Sequence, residues 1–269
     1  MRVTGLYRYP LKSARGASLD EATLDPFGIA GDRRWCLRGE DGKVITQRDC
    51  PALARLEVRE IEAGIELHSD GRDPVTVLRP EPGTEPLSVL VWRDRTEGLP
   101  AGAKADAWLG SLLERPCRLL YMTPDTHRQV SLEYGQPGDR VSFADGYPLL
   151  LTSEASLADL NRRLDRALPM DRFRPNLVID GEAPFAEDEW ARIRVGSTEF
   201  RVVKPCARCV VTTTDQRTGA GGPEPLRTLA SFRNAGGKVL FGENLIHDGP
   251  GPVRLGDPVE VLERRSDAR

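Results

Sequence analysis

Residues 202–219 read VVKPCARCVVTTTDQRTG and bring two cysteines, Cys206 and Cys209, into one short segment. The β-branched residues on both sides of the cysteines favour extended backbone. Most of the functional prediction depends on the chemistry of these two thiols. We expect, in order along the segment, a strand, a turn at Lys204 and Pro205, a strand-like run over residues 210–214 and a closing turn over residues 215–219.

Outside this segment the chain consists mainly of short runs of strand-forming residues, separated by many of its 26 glycines and 21 prolines. Helical patterns are few, and we predict helices over residues 105–115, 154–168 and 226–233. Residues 123–140 are polar and lack a regular period, so we expect a loop or a boundary there. The whole pattern predicts a mainly β chain with a few helices (α+β), built as barrels or sandwiches rather than as a parallel α/β sheet.

The composition is that of a folded globular protein, because 39% of the 269 residues are hydrophobic and 29% are charged. A net charge of −3 gives no electrostatic basis for binding nucleic acid. No apolar run reaches the roughly 20 residues of a membrane span, and the N-terminal residues lack the apolar core of a signal peptide. We therefore expect a cytoplasmic protein with neither nucleic acid nor a membrane as a partner.

The other cysteines, Cys36, Cys50 and Cys117, are scattered beside apolar residues. An odd total of five cysteines at irregular spacing is a poor framework for disulfides. We expect these three to be packed as small hydrophobic residues.

The pair Cys206 and Cys209 admits four roles: two packed thiols, a structural zinc site, a redox dithiol, or one thiolate ligand to a metal that an organic cofactor holds. Zinc is disfavoured because it needs four ligands and the three histidines lie far apart. A thioredoxin-like dithiol needs a helix after the cysteines, whereas residues 210–214 favour a strand. Neighbouring Lys204 and Arg208 favour a thiolate, which suits metal ligation or reactivity.

A metal held by an organic cofactor implies a phosphate group, which requires basic loops and free backbone N–H groups. Several segments have this character, one of them at the predicted start of a helix. These candidate anion-binding residues are Lys12 and Ser13, Arg33, Thr152 and Ser153, and Arg174 and Asn176.

The segment KPCARCVVTTTDQRTG resembles the signature of the MOSC (molybdenum cofactor sulfurase C-terminal) domain. YPLKSARG, FGIAGDRRW, LLLTSEASLADLN, RFRPNLVI and VRLGDPVEVL resemble the same family, in its branch with an N-terminal β-barrel domain, which includes the amidoxime-reducing components. The resemblance covers nearly the whole chain. It implies two β-barrel-like parts, an N-terminal barrel domain over residues 1–120 and a MOSC domain over residues 121–269.

The resemblance also implies a molybdenum cofactor (Mo-molybdopterin), with Cys209 as the catalytic protein ligand of the metal. The implied activity is reduction of N-hydroxylated compounds such as hydroxylaminopurines, amidoximes and hydroxylamines. The chain has no cysteine after Cys209, so we expect a separate ferredoxin- or flavin-type electron donor. The alternative is a cofactor-binding or sulfur-carrier protein that uses a Cys209 persulfide. The implied cofactor-binding residues are Lys12, Ser13, Arg33, Thr152, Ser153, Arg174, Asn176, Arg208 and Cys209.

Overall fold

A computed structural model describes residues 1–265 of the chain. Most of the regular structure in this part is β-strand, and the predicted fold class, mainly β with a few helices, is confirmed. The last four residues of the predicted second part, 266–269, lie outside the described residues. Within residues 1–265, no helix has both the length and the apolar character needed to cross a lipid bilayer.

The three α-helices are α1 (Ala103–Leu113), α2 (Glu154–Arg162) and α3 (Leu226–Phe232), and short 3-10 helices occupy Pro51–Arg55, Met170–Phe173, Ala186–Glu189 and Val210–Thr213. The strands are β1 (Val3–Arg8), β2 (Ala17–Ser18), β3 (Glu21–Asp25), β4 (Gly28–Ile29), β5 (Trp35–Arg38), β6 (Glu57–Ile61), β7 (Gly64–His68), β8 (Val75–Leu78), β9 (Leu87–Val91), β10 (Asp94–Pro100), β11 (Arg118–Tyr121), β12 (Leu149–Ser153), β13 (Leu177–Ile179), β14 (Trp190–Val195), β15 (Thr198–Ala207), β16 (Asn234–Ala235), β17 (Lys238–His247), β18 (Pro252–Arg254) and β19 (Val259–Arg264).

The largest sheet has nine strands, in the order β19-β14-β15-β17-β12-β13-β1-β2 with β16 paired to β17. Most of these strands come from the second half of the chain, but β1 pairs antiparallel with β13 and places Leu6 opposite Leu177. A separate small sheet pairs β3 with β18. The first strands of the chain therefore complete sheets formed with its last strands. The division into residues 1–120 and 121–269 stays a prediction.

Two hydrophobic cores support these sheets. Trp190, Phe200 and Leu245 are fully buried in the core of the nine-stranded sheet. The second core lies where β6–β8 and α1 pack together, and it includes Leu109 and Leu119. A further sheet, in the order β5-β11-β10-β9, comes from the first half of the chain.

The three predicted helices all exist, with different ends. α1 begins and ends two residues earlier than predicted and stops at Glu114, which has a left-handed conformation. α2 ends at Arg162 rather than at residue 168. Its shortening has a visible cause, because the Asn161 side chain accepts from the N–H of Leu168 at 2.9 Å and donates to its C=O at 3.0 Å, which closes a loop.

The cysteine segment differs from its prediction in two places. No turn occurs at Lys204 and Pro205, because β15 continues through them and accommodates the proline at an irregularity in its pairing with β17. The expected strand over residues 210–214 is a 3-10 helix instead. There the hydroxyl of Thr212 donates to the carbonyl oxygen of Cys209 at 2.9 Å, which stabilises a helical turn in place of extended backbone.

The closing turn over residues 215–219 is confirmed. The carboxylate of Asp215 accepts from the N–H groups of Arg217 and Thr218. Gly219 has φ +76°, a conformation that glycine adopts without steric cost, and its N–H donates to the carbonyl oxygen of Asp215 at 2.7 Å.

Candidate active site

An open cleft, with about 810 Å³ of empty space, is the place where the predicted site residues meet. Its walls come from loops of the first half of the chain, from residues 144–150 and from the cysteine segment. Seven of the predicted site residues line the cleft: Lys12, Ser13, Arg33, Arg174, Asn176, Arg208 and Cys209.

Cys209 lies in this cleft, half-buried and without a disulfide partner. The guanidinium of Arg48 donates to its sulfur, with an Nη2–Sγ distance of 3.3 Å. A cation at this distance stabilises the thiolate form of a cysteine. Arg48 was missed by the sequence analysis, because a single arginine in a loop carries no local signal of its distant partner.

Cys206 lies on the same strand end and has a different environment. Arg208 Nη1 donates to its sulfur at 2.9 Å, and Arg208 Nη2 donates to the carbonyl oxygen of Phe173 at 2.5 Å. Burial raises the pKa of the Cys206 thiol, and the charge of Arg208 opposes this rise only in part. Cys206 is therefore favoured as a neutral thiol that helps to orient Arg208.

The basic floor of the cleft is built on one aromatic ring. The guanidinium carbons of Arg33 and Arg174 lie 4.4 and 4.3 Å from the centre of the Tyr9 ring. Burial lowers the pKa of Arg174 to about 10, although the nearby Tyr9 opposes this, so the side chain stays charged at neutral pH. Its Nη1 donates to the carbonyl oxygen of Ala14 at 2.7 Å.

Two guanidinium nitrogens in this region have no hydrogen-bond partner within residues 1–265 although they are buried: Arg174 Nη2 and Arg208 Nε. Buried donors are nearly always paired in proteins, so an unpaired donor at a cleft marks a place for a ligand. The side chain of Asn176 is used internally, because its Oδ1 accepts from Arg33 at 3.1 Å and from the N–H of Leu150 at 3.2 Å. Asn176 therefore orients Arg33.

The backbone at the cleft is unusual as well. Ser13, Arg33 and Arg174 have φ values of +68°, +48° and +54°, and they are half of the non-glycine residues with positive φ in the described part of the chain. Side chains rarely adopt this region, and its cost is typically about 1–3 kcal/mol per residue. The concentration of such residues in one cleft is typical of a functional site.

Asp145 is a second residue that sequence reasoning missed. Lys12 Nζ donates to its carboxylate, and Arg48 Nη2 lies 3.5 Å from its other oxygen. Its surroundings disfavour ionisation, but the charge and hydrogen bond of Lys12, with weaker help from Arg48 and Trp92, hold the pKa of Asp145 well below its usual range. Burial in turn lowers the pKa of the Lys12 ammonium, and Asp145 opposes that shift.

The segment that carries Asp145 is held by Arg128, which is 4% exposed. Arg128 Nη1 donates to the carbonyl oxygens of Ser142 and Ala144, both at 2.6 Å. Its Nη2 donates to the carbonyl oxygen of Asp145 at 3.0 Å and to the carboxylate of Asp94 at 2.8 Å. One buried guanidinium thus ties the wall of the cleft to the hairpin of β9 and β10.

Thr152 and Ser153 do not line the cleft, so their predicted contact with a cofactor has no support in this geometry. Ser153 lies about 10 Å along β12 from the residues that face the cleft, and its hydroxyl caps α2 by accepting from the N–H of Ser156 at 3.1 Å. The carboxyl of Glu187 completes this group, 2.7 Å from the hydroxyl of Ser156. We call Ser153, Ser156 and Glu187 the Ser153 cluster. Thr152 is fully buried under Gly242.

The donor set of the cleft fits an anionic organic group that carries its own metal. Within residues 1–265 no group of three or more His, Cys, Asp or Glu side chains is placed to hold a metal ion. The cleft instead offers one thiol, Cys209, beside the cations of Lys12, Arg33 and Arg208. A single soft thiolate suffices for a transition metal when a chelator supplies the other ligands, and guanidinium groups pair well with phosphate.

Comparisons with known proteins agree with this chemistry. A family model described as the MOSC N-terminal beta barrel domain matches residues 1–116, and one described as the MOSC domain matches residues 138–260. Mitochondrial amidoxime-reducing component 1 of Mus musculus is 34% identical to this chain, over 97% of this chain and 82% of the relative. The molybdenum cofactor sulfurase of Danio rerio is 32% identical over 91% of this chain, which spans 32% of that protein.

Among solved structures, the crystal structure of the YUAD protein from Bacillus subtilis aligns with 96% of this chain and 93% of its own, at 14% identity. The TM-score of 0.42 is too low for that likeness to support an argument. The two domain matches and the amidoxime-reducing relative do support an assignment to a family, because together they account for nearly the whole chain. The chain therefore belongs to the MOSC-domain proteins that carry an N-terminal β-barrel domain.

Proposed function

We propose that this protein is a molybdenum-cofactor-dependent oxidoreductase that reduces N-hydroxylated compounds, such as hydroxylaminopurines, amidoximes and hydroxylamines. The observation that carries the proposal is the position of Cys209 in a cleft where buried guanidinium donors lack protein partners. The similarity to an amidoxime-reducing component supports the substrate class. When bound, the molybdopterin cofactor would supply the two-electron chemistry that breaks an N–O bond.

The residues of the cleft have distinct roles in this proposal. Cys209 would be the protein ligand of molybdenum, and Arg48 would donate an N–H to its sulfur at 3.3 Å. Arg33, Arg174 and Arg208 would hold the phosphate of the cofactor, since each presents a guanidinium to the cleft. Ser13 and Lys12 complete the binding wall.

Electrons would come from a separate protein of the ferredoxin or flavin type. The remaining cysteines support this, because Cys36 and Cys117 are buried and burial raises the pKa of Cys117 to about 11. Burial raises the pKa of Cys36 as well. Neutral buried thiols of this kind are poor ligands for an iron–sulfur cluster.

The test is molybdenum content paired with turnover, on protein produced in a host that makes the cofactor. We expect stoichiometric molybdenum in the wild type, and reduction of benzamidoxime with a chemical electron donor such as reduced methyl viologen. Cys209→Ala should lose the metal and the activity. Cys206→Ala is the matched control and should retain most of both, since its thiol bonds Arg208 and the carbonyl oxygen of Ala207 and is not the proposed metal ligand. A well-folded wild type without molybdenum would overturn the proposal.

A sulfur-carrier role is the second candidate, and the likeness to a molybdenum cofactor sulfurase favours it. In that case Cys209 would carry a persulfide, which Arg48 would stabilise as an anion in the same way. The two functions differ in turnover. A carrier would show a Cys209-dependent persulfide by mass spectrometry and no catalytic reduction of benzamidoxime.

A further inference from the structure

Trp92 is an exposed aromatic residue that packs on Arg48 beside the cleft and also helps to keep the pKa of Asp145 low. It is the first residue of the two-residue turn between β9 and β10, and it has φ +57°. Glycine is the residue that this turn position normally carries. The side chain is 57% exposed, so burial of the indole does not offset the backbone strain. Strained, exposed aromatic residues of this kind point to a function.

The position of the ring is fixed from two sides. The guanidinium carbon of Arg48 lies 4.4 Å from the centre of the Trp92 ring, and the same guanidinium reaches the sulfur of Cys209. Arg128 bonds Asp94, two residues after Trp92, and the carbonyl oxygen of Asp145 in the wall of the cleft. The hairpin tip is therefore anchored to the cleft by a buried cation rather than left to move freely.

We propose that Trp92 is a stacking platform at the mouth of the cleft, which selects planar, conjugated N-hydroxylated substrates. The inference rests on the proposed reductase function. Arg48, which also reaches Cys209, occupies one side of the indole, and the rest of the ring is exposed. In this proposal a flat conjugated substrate stacks on the exposed part of the ring and extends its N–O group past Arg48 toward Cys209. A small substrate without a π system would gain nothing from the ring.

Because the turn is strained at residue 92, one substitution can remove the ring without adding backbone strain. Trp92→Gly removes the ring and relieves the positive φ, so we expect the variant to fold at least as well as the wild type. The KM of the variant for benzamidoxime should rise about tenfold with kcat unchanged. A tenfold change is the usual effect on affinity of losing one stacking contact. For N-methylhydroxylamine, which lacks a π system, both constants should stay at wild-type values. Trp92→Phe keeps a flat ring and should restore most of the KM for benzamidoxime.

A rise of KM by the same factor for both substrates would overturn the platform, because Trp92 would then act only by positioning Arg48. An unchanged KM for benzamidoxime in Trp92→Gly would overturn it as well. Leu78→Ala is the matched control, because Leu78 is another exposed large hydrophobic residue, 60% exposed, and lies in a different surface depression with Pro100 and Ala105. This variant should leave both substrates unaffected.

A binding measurement separates this inference from the proposed function. Benzamidine, a planar compound without the N–O group, should quench the tryptophan fluorescence of the wild-type holoprotein and quench Trp92→Phe much less. Trp35 and Trp190 are buried, and the half-buried Trp108 lies on α1 with its indole N–H bonded to Asp73, outside the cleft. These three contribute little to such quenching. Quenching without turnover of any substrate would overturn the reductase function and leave the platform standing. Turnover without Trp92-dependent quenching would overturn the platform alone.

Discussion

The two ends of strand β12 both carry buried polar groups, and these groups differ in how their hydrogen bonds are satisfied. At the Ser153 end, the Ser153 cluster leaves no side-chain oxygen of its own without a partner within the described residues, whereas the neighbouring Thr152 Oγ1 has none. At the other end, Leu149 and Leu150 reach the cleft, where Arg174 Nη2 and Arg208 Nε have no protein partner. A satisfied buried network stabilises the fold, and an unsatisfied one at a cleft is available to a ligand.

This contrast changes how the residues of β12 are interpreted. Thr152 and Ser153 were predicted to contact a cofactor, and the structure gives Ser153 a structural role instead. We therefore expect substitutions at the Ser153 end to lower stability without loss of cofactor, and substitutions at the cleft end to lower cofactor retention without loss of stability. Four substitutions test this expectation.

The largest effect is expected for Glu187→Ala. Glu187 is 1% exposed and accepts from the hydroxyls of Ser153 and Ser156. Its removal leaves two buried hydroxyls without their acceptor and creates a cavity, so the free energy of unfolding should fall by about 3 kcal/mol. Urea denaturation measures this loss. The molybdenum content of the protein that remains folded should be unchanged, and a selective loss of metal would contradict the comparison.

Arg174→Gln should have the opposite pattern. It removes the guanidinium whose Nη2 is free for a ligand, and one charge-assisted hydrogen bond is worth about 2 kcal/mol, or roughly thirtyfold in affinity. Dialysis against a competing apo-protein, followed by metal analysis, measures cofactor retention. The stability of the cofactor-free form should change little, because the lost contacts are offset by the relief of a buried charge. Arg174→Lys keeps the charge and should retain the cofactor better than Arg174→Gln.

Glu243 is intermediate between the two ends of β12 in how fully its hydrogen bonds are satisfied. It is fully buried, and one carboxyl oxygen accepts from Arg265 at 2.7 Å, whereas the other has no partner within residues 1–265. Burial raises its pKa to about 8, although Arg265 opposes this. A raised carboxyl pKa means that the stability this group contributes is present at low pH and is lost as the pH rises through about 8. Each pKa unit of this rise corresponds to about 1.4 kcal/mol, so the wild type should lose at least that much stability between pH 5 and pH 8.5.

Urea denaturation of the wild type and of Glu243→Gln at pH 5 and at pH 8.5 measures this dependence. The glutamine does not titrate, so the difference between the two proteins isolates residue 243. Equal pH dependence in both proteins would show that burial does not perturb this carboxyl.

The smallest effect is expected for Ser153→Ala. The variant removes the side-chain cap of α2, and such caps contribute about 1 kcal/mol. A thermal melt of the cofactor-free protein measures the loss. Retention of molybdenum equal to that of the wild type would support a purely structural hydroxyl, and a tenfold loss of retention would return Ser153 to the cofactor site.

The fold class could be predicted because strand-forming runs and Gly/Pro turns are local signals, and so could the existence of the three helices. The 3-10 helix at Val210–Thr213 could not, because threonine favours strands in isolation and becomes helical here through hydroxyl bonds to the preceding carbonyls. Five of the seven residues that line the cleft were candidates for anion binding from the sequence, but their basic or polar character alone does not distinguish them from surface residues. The roles of Arg208 and Cys209 came from the family resemblance.

Arg48 and Asp145 escaped prediction for a different reason. Each lies in a loop, and long-range partners set its position: Arg48 packs on Trp92, and the Asp145 segment is held by Arg128. Ser153 is a different case, because a helix cap and an anion site share one sequence signal, and its contact with a cofactor stays a prediction. What decides between them is a carboxyl group 34 residues away, on Glu187.

The pairing of β1 with β13 has a consequence for how this protein is made. Leu6 leaves the ribosome roughly 170 residues before its partner Leu177 does, which at typical translation rates is about ten to thirty-five seconds. During that interval the apolar side of the first strand has no partner. The walls that hold Arg33, Arg174 and Cys209 can come together only after the late strands emerge, so a cofactor that binds between these walls could be loaded only after those strands are made.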